Sequence, residues 1–176
     1  MIDDRPCGWK TGIALALFAA GLAGAFWLHH SYTSWRDAGL RRHIPFEAEA
    51  GEAVHVGGET GIMGGGCGAA VFELTPPVRA RLRASGLRAL TESMATHSRA
   101  TGRPIATGWR ETPYTEEASR GDDFWAFALS CTWMRAALRK TVDGALESPG
   151  AYYRFLDDGA VLVVPDAGIV MYAYFD

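Results

Sequence analysis

Cys67 and Cys131 are the residues whose type and placement most directly imply chemistry, and two chemistries compete for them. Outside the cytoplasm, two cysteines on ordered elements of a small domain are expected to form a disulfide. Alternatively, Cys67, set in Gly64-Gly65-Gly66-Cys67-Gly68, is a nucleophilic thiol with His55 or His97 as its base. Such a thiol needs exposure and a histidine partner, and an oxidising compartment opposes it. The disulfide is therefore the expected state. Cys7, near the N-terminus, is left to a lipid modification or to no role.

Other candidate patterns lead to weaker chemistry. The glycine run at 64–68 lacks the Gly-Lys-Ser/Thr ending of a phosphate loop and precedes an apolar stretch that reads as a strand. Nucleotide-binding glycines follow a strand and open a helix, so the run is expected to be a bulged or closely packed strand start. The histidines at 29, 30, 43, 55 and 97 form no helical metal-binding pair, and no CxxC is present. No metal or cofactor is expected. Carboxylates pair at Glu116-Glu117, Asp122-Asp123 and Asp157-Asp158; the last pair is explained by a turn, and EF-hand spacing is missing. Gly108-Trp109-Arg110-Glu111-Thr112-Pro113-Tyr114 is the expected recognition loop, with Trp109, Arg110 and Tyr114 as its contact residues. Trp, Arg and Tyr are common interface anchors, although the two rings would serve equally well to tuck the loop onto the core.

The elements that must position these residues begin with an uncharged run, 12–28, flanked by Trp9 and Trp27. As a helix it reaches about 25 Å, the short end of what crosses a bilayer. Ala23-Gly24-Ala25 fits a signal-peptide cleavage site, but Phe26-Trp27-Leu28 continues the apolar run past it. An uncleaved signal anchor is thus favoured over secretion after cleavage near Ala25. Basic residues are nearly balanced across the span, with Arg5 and Lys10 before it and Arg36, Arg41 and Arg42 after it. The positive-inside rule therefore does not fix orientation. Ala16, Ala20 and Gly24 make a row at four-residue spacing, a pattern that lets helices approach closely.

The expected organisation is a cytoplasmic segment 1–11, an anchor 12–28, a connector 29–50 and an extracytoplasmic domain 51–176. Ser31 to Leu40 can extend the helix until Pro45, and Glu47 to Gly58 holds a short strand. A strand over 69–74 then leads into Thr75-Pro76, a helix start, and a helix to about Thr96 carrying Val78, Leu82, Leu90 and Met94 on one stripe. Residues 97–123 read as a long connection with a short strand near Ile105 to Trp109. Trp125, Phe127, Leu129, Cys131 and Trp133 alternate with small residues, which predicts a strand. Met134, Leu138, Val142 and Leu146 predict a second helix. Asp157-Asp158-Gly159 and Asp166-Ala167-Gly168 separate three apolar runs and predict a C-terminal meander. The sum is an α+β fold: a single transmembrane helix, then a mostly antiparallel sheet with two helices packed on one face.

Composition narrows the function. A formal net charge of -3 argues against a polyanionic partner, so nucleic-acid binding is not expected. Lys10 and Lys140 are the lysines in a chain rich in Arg, Ala and Gly, a bias typical of GC-rich bacterial coding. The expectation is a non-enzymatic interaction module, held in the periplasm by the bacterial inner membrane, that binds an envelope protein or neutralises a toxin. The alternative is an envelope hydrolase built on Cys67 with His55 or His97.

Overall fold

The structure is a computed structural model that describes residues 8–60, 66–101, 108–114 and 124–175. By its internal contacts the chain divides after Ala38 into two units.

The first unit is helical. Helix α1 runs Gly8–Arg41 and is long and apolar enough, from Gly12 onward, to cross a membrane. Ile13, Leu15, Leu17, Phe18, Leu22, Phe26, Trp27 and Leu28 are all exposed. A helix that is apolar on every side needs an apolar surrounding, which fits a membrane anchor or a signal sequence.

The second unit starts at Gly39, so the last residues of α1 and most of the expected connector belong to it. Ile44 and Ala48, the latter in a 3-10 turn over Phe46–Ala48, are core residues. Among the described residues six strands follow: β1 Ala50–Thr60, β2 Gly66–Leu74, β3 Arg110–Glu111, β4 Tyr152–Phe155, β5 Ala160–Val164 and β6 Ile169–Phe175. They form one sheet in the order β1-β2-β6-β5-β4-β3, and every pairing in it is antiparallel. The meander β4-β5-β6 matches its prediction, with the two Asp-containing turns between its strands.

Side chains alternate along the strands and build two cores. Ala70, Phe72, Val161, Val163, Val170 and Tyr172 face one side, where they meet Val78 and Leu82 of α2 (Pro76–Ser85) and Ala89, Leu90 and Met94 of α3 (Leu87–Thr101). Val71, Leu162, Met171 and Ala173 face the other, where they meet Trp125, Ala128 and Leu129 of α4 (Phe124–Ser130) and Val142 of α5 (Ala136–Glu147). The helices therefore cover both faces of the sheet, where the sequence had placed two on one face.

Two elements depart from the sequence reading. The single helix expected over 76–96 is broken at Gly86, whose φ of 56° ends α2 while its N–H closes onto the Leu82 carbonyl at 2.8 Å. Left-handed backbone at a helix end favours glycine, and the apolar stripe simply continues across the break. The strand expected over 125–133 is helix α4 followed by a turn. Trp125, Ala128 and Leu129 are its buried residues, at the i, i+3, i+4 spacing of a helix, while Phe127 and Trp133 are exposed. Alternation of bulky and small residues fits either period over so short a segment. A smaller difference is Thr75, whose hydroxyl makes no cap bond and donates instead to Glu49 Oε2 at 3.3 Å. The strand expected at 105–109 falls partly outside the described residues; within them, β3 begins at Arg110.

The glycine start of β2 allows close strand contact. A Cβ on Gly68 would lie 2.5 Å from the Gly57 carbonyl oxygen and 2.6 Å from Gly58 Cα. Backbone cannot yield as a flexible side chain can, so Gly68→Ala is expected to lower stability by about 2 kcal/mol. Urea denaturation checks this, and an unchanged midpoint would mean that β1 moves away at no cost.

Candidate functional site

Cys67 of β2 and Cys131, in the turn after α4, form a disulfide with Cα atoms 5.7 Å apart. The bond joins the edge half of the sheet to the α4 layer. His55 Nε2 lies 2.7 Å from Thr132 Oγ1, and the His97 ring packs 4.3 Å from the Phe46 ring. With its sulfur bonded to Cys131, Cys67 holds no thiolate, so the hydrolase built on that nucleophile is set aside.

The expected recognition loop does not present its rings together. Trp109 is 5% exposed and belongs to the core under α2 and α3. Tyr114 is half-buried on the opposite face, edge-on to Trp125 at 6.4 Å and to Tyr153 at 5.6 Å. Arg110 is exposed on β3, opposite Tyr153. Thr112 secures the loop between them, donating to the Ser148 carbonyl at 2.6 Å and accepting from the Ala151 N–H at 3.1 Å. The aromatic residues thus lock the loop onto both cores, and Arg110 alone of the three stands at the surface. The Glu116-Glu117 and Asp122-Asp123 pairs lie outside the described residues, as do Gly64 and Gly65.

The site that geometry does assemble is a cleft of about 370 Å³ lined by Leu40, His43, Asp157, Asp158, Tyr172, Tyr174 and Phe175. The end of α1 supplies Leu40, and the turn after it supplies His43. The β4–β5 turn supplies both aspartates, and the end of β6 supplies the three rings. His43 Nδ1 lies 2.6 Å from Asp158 Oδ2. The His43 ring stacks on Tyr172 with centroids 4.7 Å apart, and Tyr172 stacks on Tyr174 at 5.9 Å. Alternation puts Tyr172 and Tyr174 on one face of β6. The Tyr172 hydroxyl donates to the Asp158 backbone carbonyl at 2.9 Å. Burial chiefly, then the charge of Asp158, drives the Tyr172 phenol well above its ordinary range, so it stays protonated and donating. The cleft therefore sets two carboxylates beside Tyr172 and Tyr174, the Tyr172 ring itself being covered by His43, an arrangement suited to a cationic group. Among the described residues, no three His, Cys, Asp or Glu side chains converge as a metal site would require.

Phe175 continues this surface onto the other face of the sheet, where its ring stacks on Phe127 at 5.3 Å and both are exposed. Sequence reading missed the cleft. Asp157-Asp158 was visible as a turn, and Tyr172 and Tyr174 as alternate strand residues, but nothing local says that His43 reaches them across more than a hundred residues. No family model, curated protein or solved structure matches this chain.

Proposed function

We propose that this chain is a membrane-tethered binding module, with its second unit in the periplasm of a bacterial cell, that receives a cationic side chain of an envelope protein in the His43–Asp158 cleft. The cleft carries this reading: Asp157 and Asp158 stand at its rim, and stacked Tyr172 and Tyr174 line it. A lysine or arginine entering there gains both carboxylate and ring contacts. The apolar α1 supports the tether. The Cys67–Cys131 bond supports an oxidising compartment, and so an orientation that the flanking charges leave undecided. Service in an envelope complex and neutralisation of a toxin both suit such a module.

The test is a photoreactive residue at Phe175, in the full chain, in intact cells. It is expected to give a discrete adduct with another membrane or periplasmic protein, and Asp157→Lys with Asp158→Lys should reduce that adduct at least fivefold. The same residue at Arg88, exposed on α3, should not give it. An adduct indifferent to the aspartates, or equal from both positions, would remove the cleft as the binding site.

A further inference from the structure

The sheet has two edges, and they are handled differently. β3 is two residues long, which leaves little backbone to pair. β1 has eleven residues, and among the described residues its ladder is with β2 alone. Natural edge strands are usually blunted by brevity, proline, charged side chains (lysine above all) or bulges. β1 contains no proline or lysine, and its irregularities lie between Ala50 and His55. From His55 to Thr60 the register with β2 is unbroken. That half of the strand is a regular template.

We propose that β1 pairs with β1 of a second copy of this chain, antiparallel and two-fold symmetric about Gly57, joining two six-stranded sheets into one of twelve. This inference does not depend on the cleft. Residues facing each other across an antiparallel ladder must both point their backbone groups inward or both outward. A strand facing its own copy therefore sets residues of equal parity opposite one another, and the axis passes through a residue. An axis at Gly57 centres the pairing on the regular stretch 55–59 and reaches the irregular part only at its outermost pair, Val54 with Thr60. It sets His55 opposite Glu59 of the second copy, twice, and Val56 opposite Gly58. Glu52 and Glu59, the acidic residues of the strand, cannot oppose each other, because their parities differ. Like charges are thereby kept apart and a favourable pair is formed.

Trp133 gives an independent reason for the same axis. It is 92% exposed, the most exposed of the described large apolar side chains in the second unit. Its neighbour Thr132 bonds His55 and sits close over Gly57, where a glycine Cβ would strike its hydroxyl. A two-fold axis perpendicular to the sheet keeps α4 and α5 of both copies on one side. Each copy thus brings the Trp133 backbone near the axis on that side, and the pairing would let the two exposed indoles leave water together.

The full-length chain in lipid nanodiscs or detergent, sized by mass photometry and sedimentation over a concentration series, is expected to be a dimer. Glu59→Lys, which sets a lysine against His55, and Trp133→Ala should each raise the dimer dissociation constant at least tenfold, whereas Arg88→Ala should leave it unchanged. A photoreactive residue at Val54 should join the two copies through a peptide containing Thr60. A monomer throughout the series would overturn the proposal. So would a dimer indifferent to both variants but lost on Ala20→Ile, since helix packing through the small-residue row would then account for it.

Discussion

Replacing Cys67 and Cys131 together by serine is expected to lower the stability of the second unit by about 4 kcal/mol. The two residues are 64 apart in sequence, and closing a loop of that length removes much of the freedom of the unfolded chain. The structural consequence falls on α4. It has seven residues, too few for a helix to persist on its own propensity. Its hold on the sheet rests on Trp125, Ala128 and Leu129, on the Arg139 Nη1 bond to the Leu129 carbonyl at 2.9 Å, and on the disulfide at its end. Reduction of the wild-type chain should therefore reproduce the serine variant. Chemical denaturation followed by tryptophan fluorescence checks both, because unfolding exposes the buried indoles of Trp109 and Trp125, one in each core. A loss below about 1 kcal/mol in either case would mean that the α4 packing holds without the closure.

How much of this was legible in the sequence depends on the range of the information. The meander was readable because apolar runs, Asp-Gly turns and strand order are all local, and neighbours in sequence became neighbours in the sheet. The start of α2 was readable from Thr75-Pro76 for the same reason, and the disulfide from two cysteines that share few alternatives. Helix α4 was misread because alternating bulky and small residues satisfy two periodicities over so short a segment, and the deciding fact, that Ala128 meets the sheet with Trp125 and Leu129 while Phe127 does not, is tertiary. Trp109 and Tyr114 look like interface anchors in a polar loop, yet burial depends on β3 completing the sheet edge between two cores. The cleft was illegible because its parts come from residue 40 and from the last twenty residues. Pairing of β1 with β2, and of β2 with β6, brings those ends together, and no local pattern encodes that meeting.

Glu47, which the sequence places only at the start of the stretch running to Gly58, yields the second large effect. Its side chain is 2% exposed, 3.6 Å from Arg154 Nη1, and among the described residues neither its Oε2 nor Arg154 Nε has a hydrogen-bond partner. Burial raises the Glu47 pKa above its ordinary 4.5, opposed by its backbone hydrogen bond and by the charges of Arg154 and His97. Arg154→Met keeps much of the apolar stem and removes the charge, leaving a buried carboxylate uncompensated. The expected cost is about 3 kcal/mol at neutral pH. The pH dependence has a definite sign. A carboxyl whose folded pKa is raised favours the folded state most below 4.5, and that advantage is lost as pH rises through the folded value. Without Arg154 the folded value rises further, so the variant's deficit should be small in acid and reach its full size only above that higher pKa. Adding Glu47→Gln to Arg154→Met removes the stranded charge. It should recover most of the loss and flatten the pH profile, because the pair is held by mutual compensation and contributes little net stability. Denaturation midpoints of the wild type, both single variants and the double variant at acid and neutral pH form the complete cycle. A deficit that does not change with pH, or one that Glu47→Gln fails to relieve, would place the cost in lost packing against Met94, which Arg154 Nη1 meets at 3.2 Å.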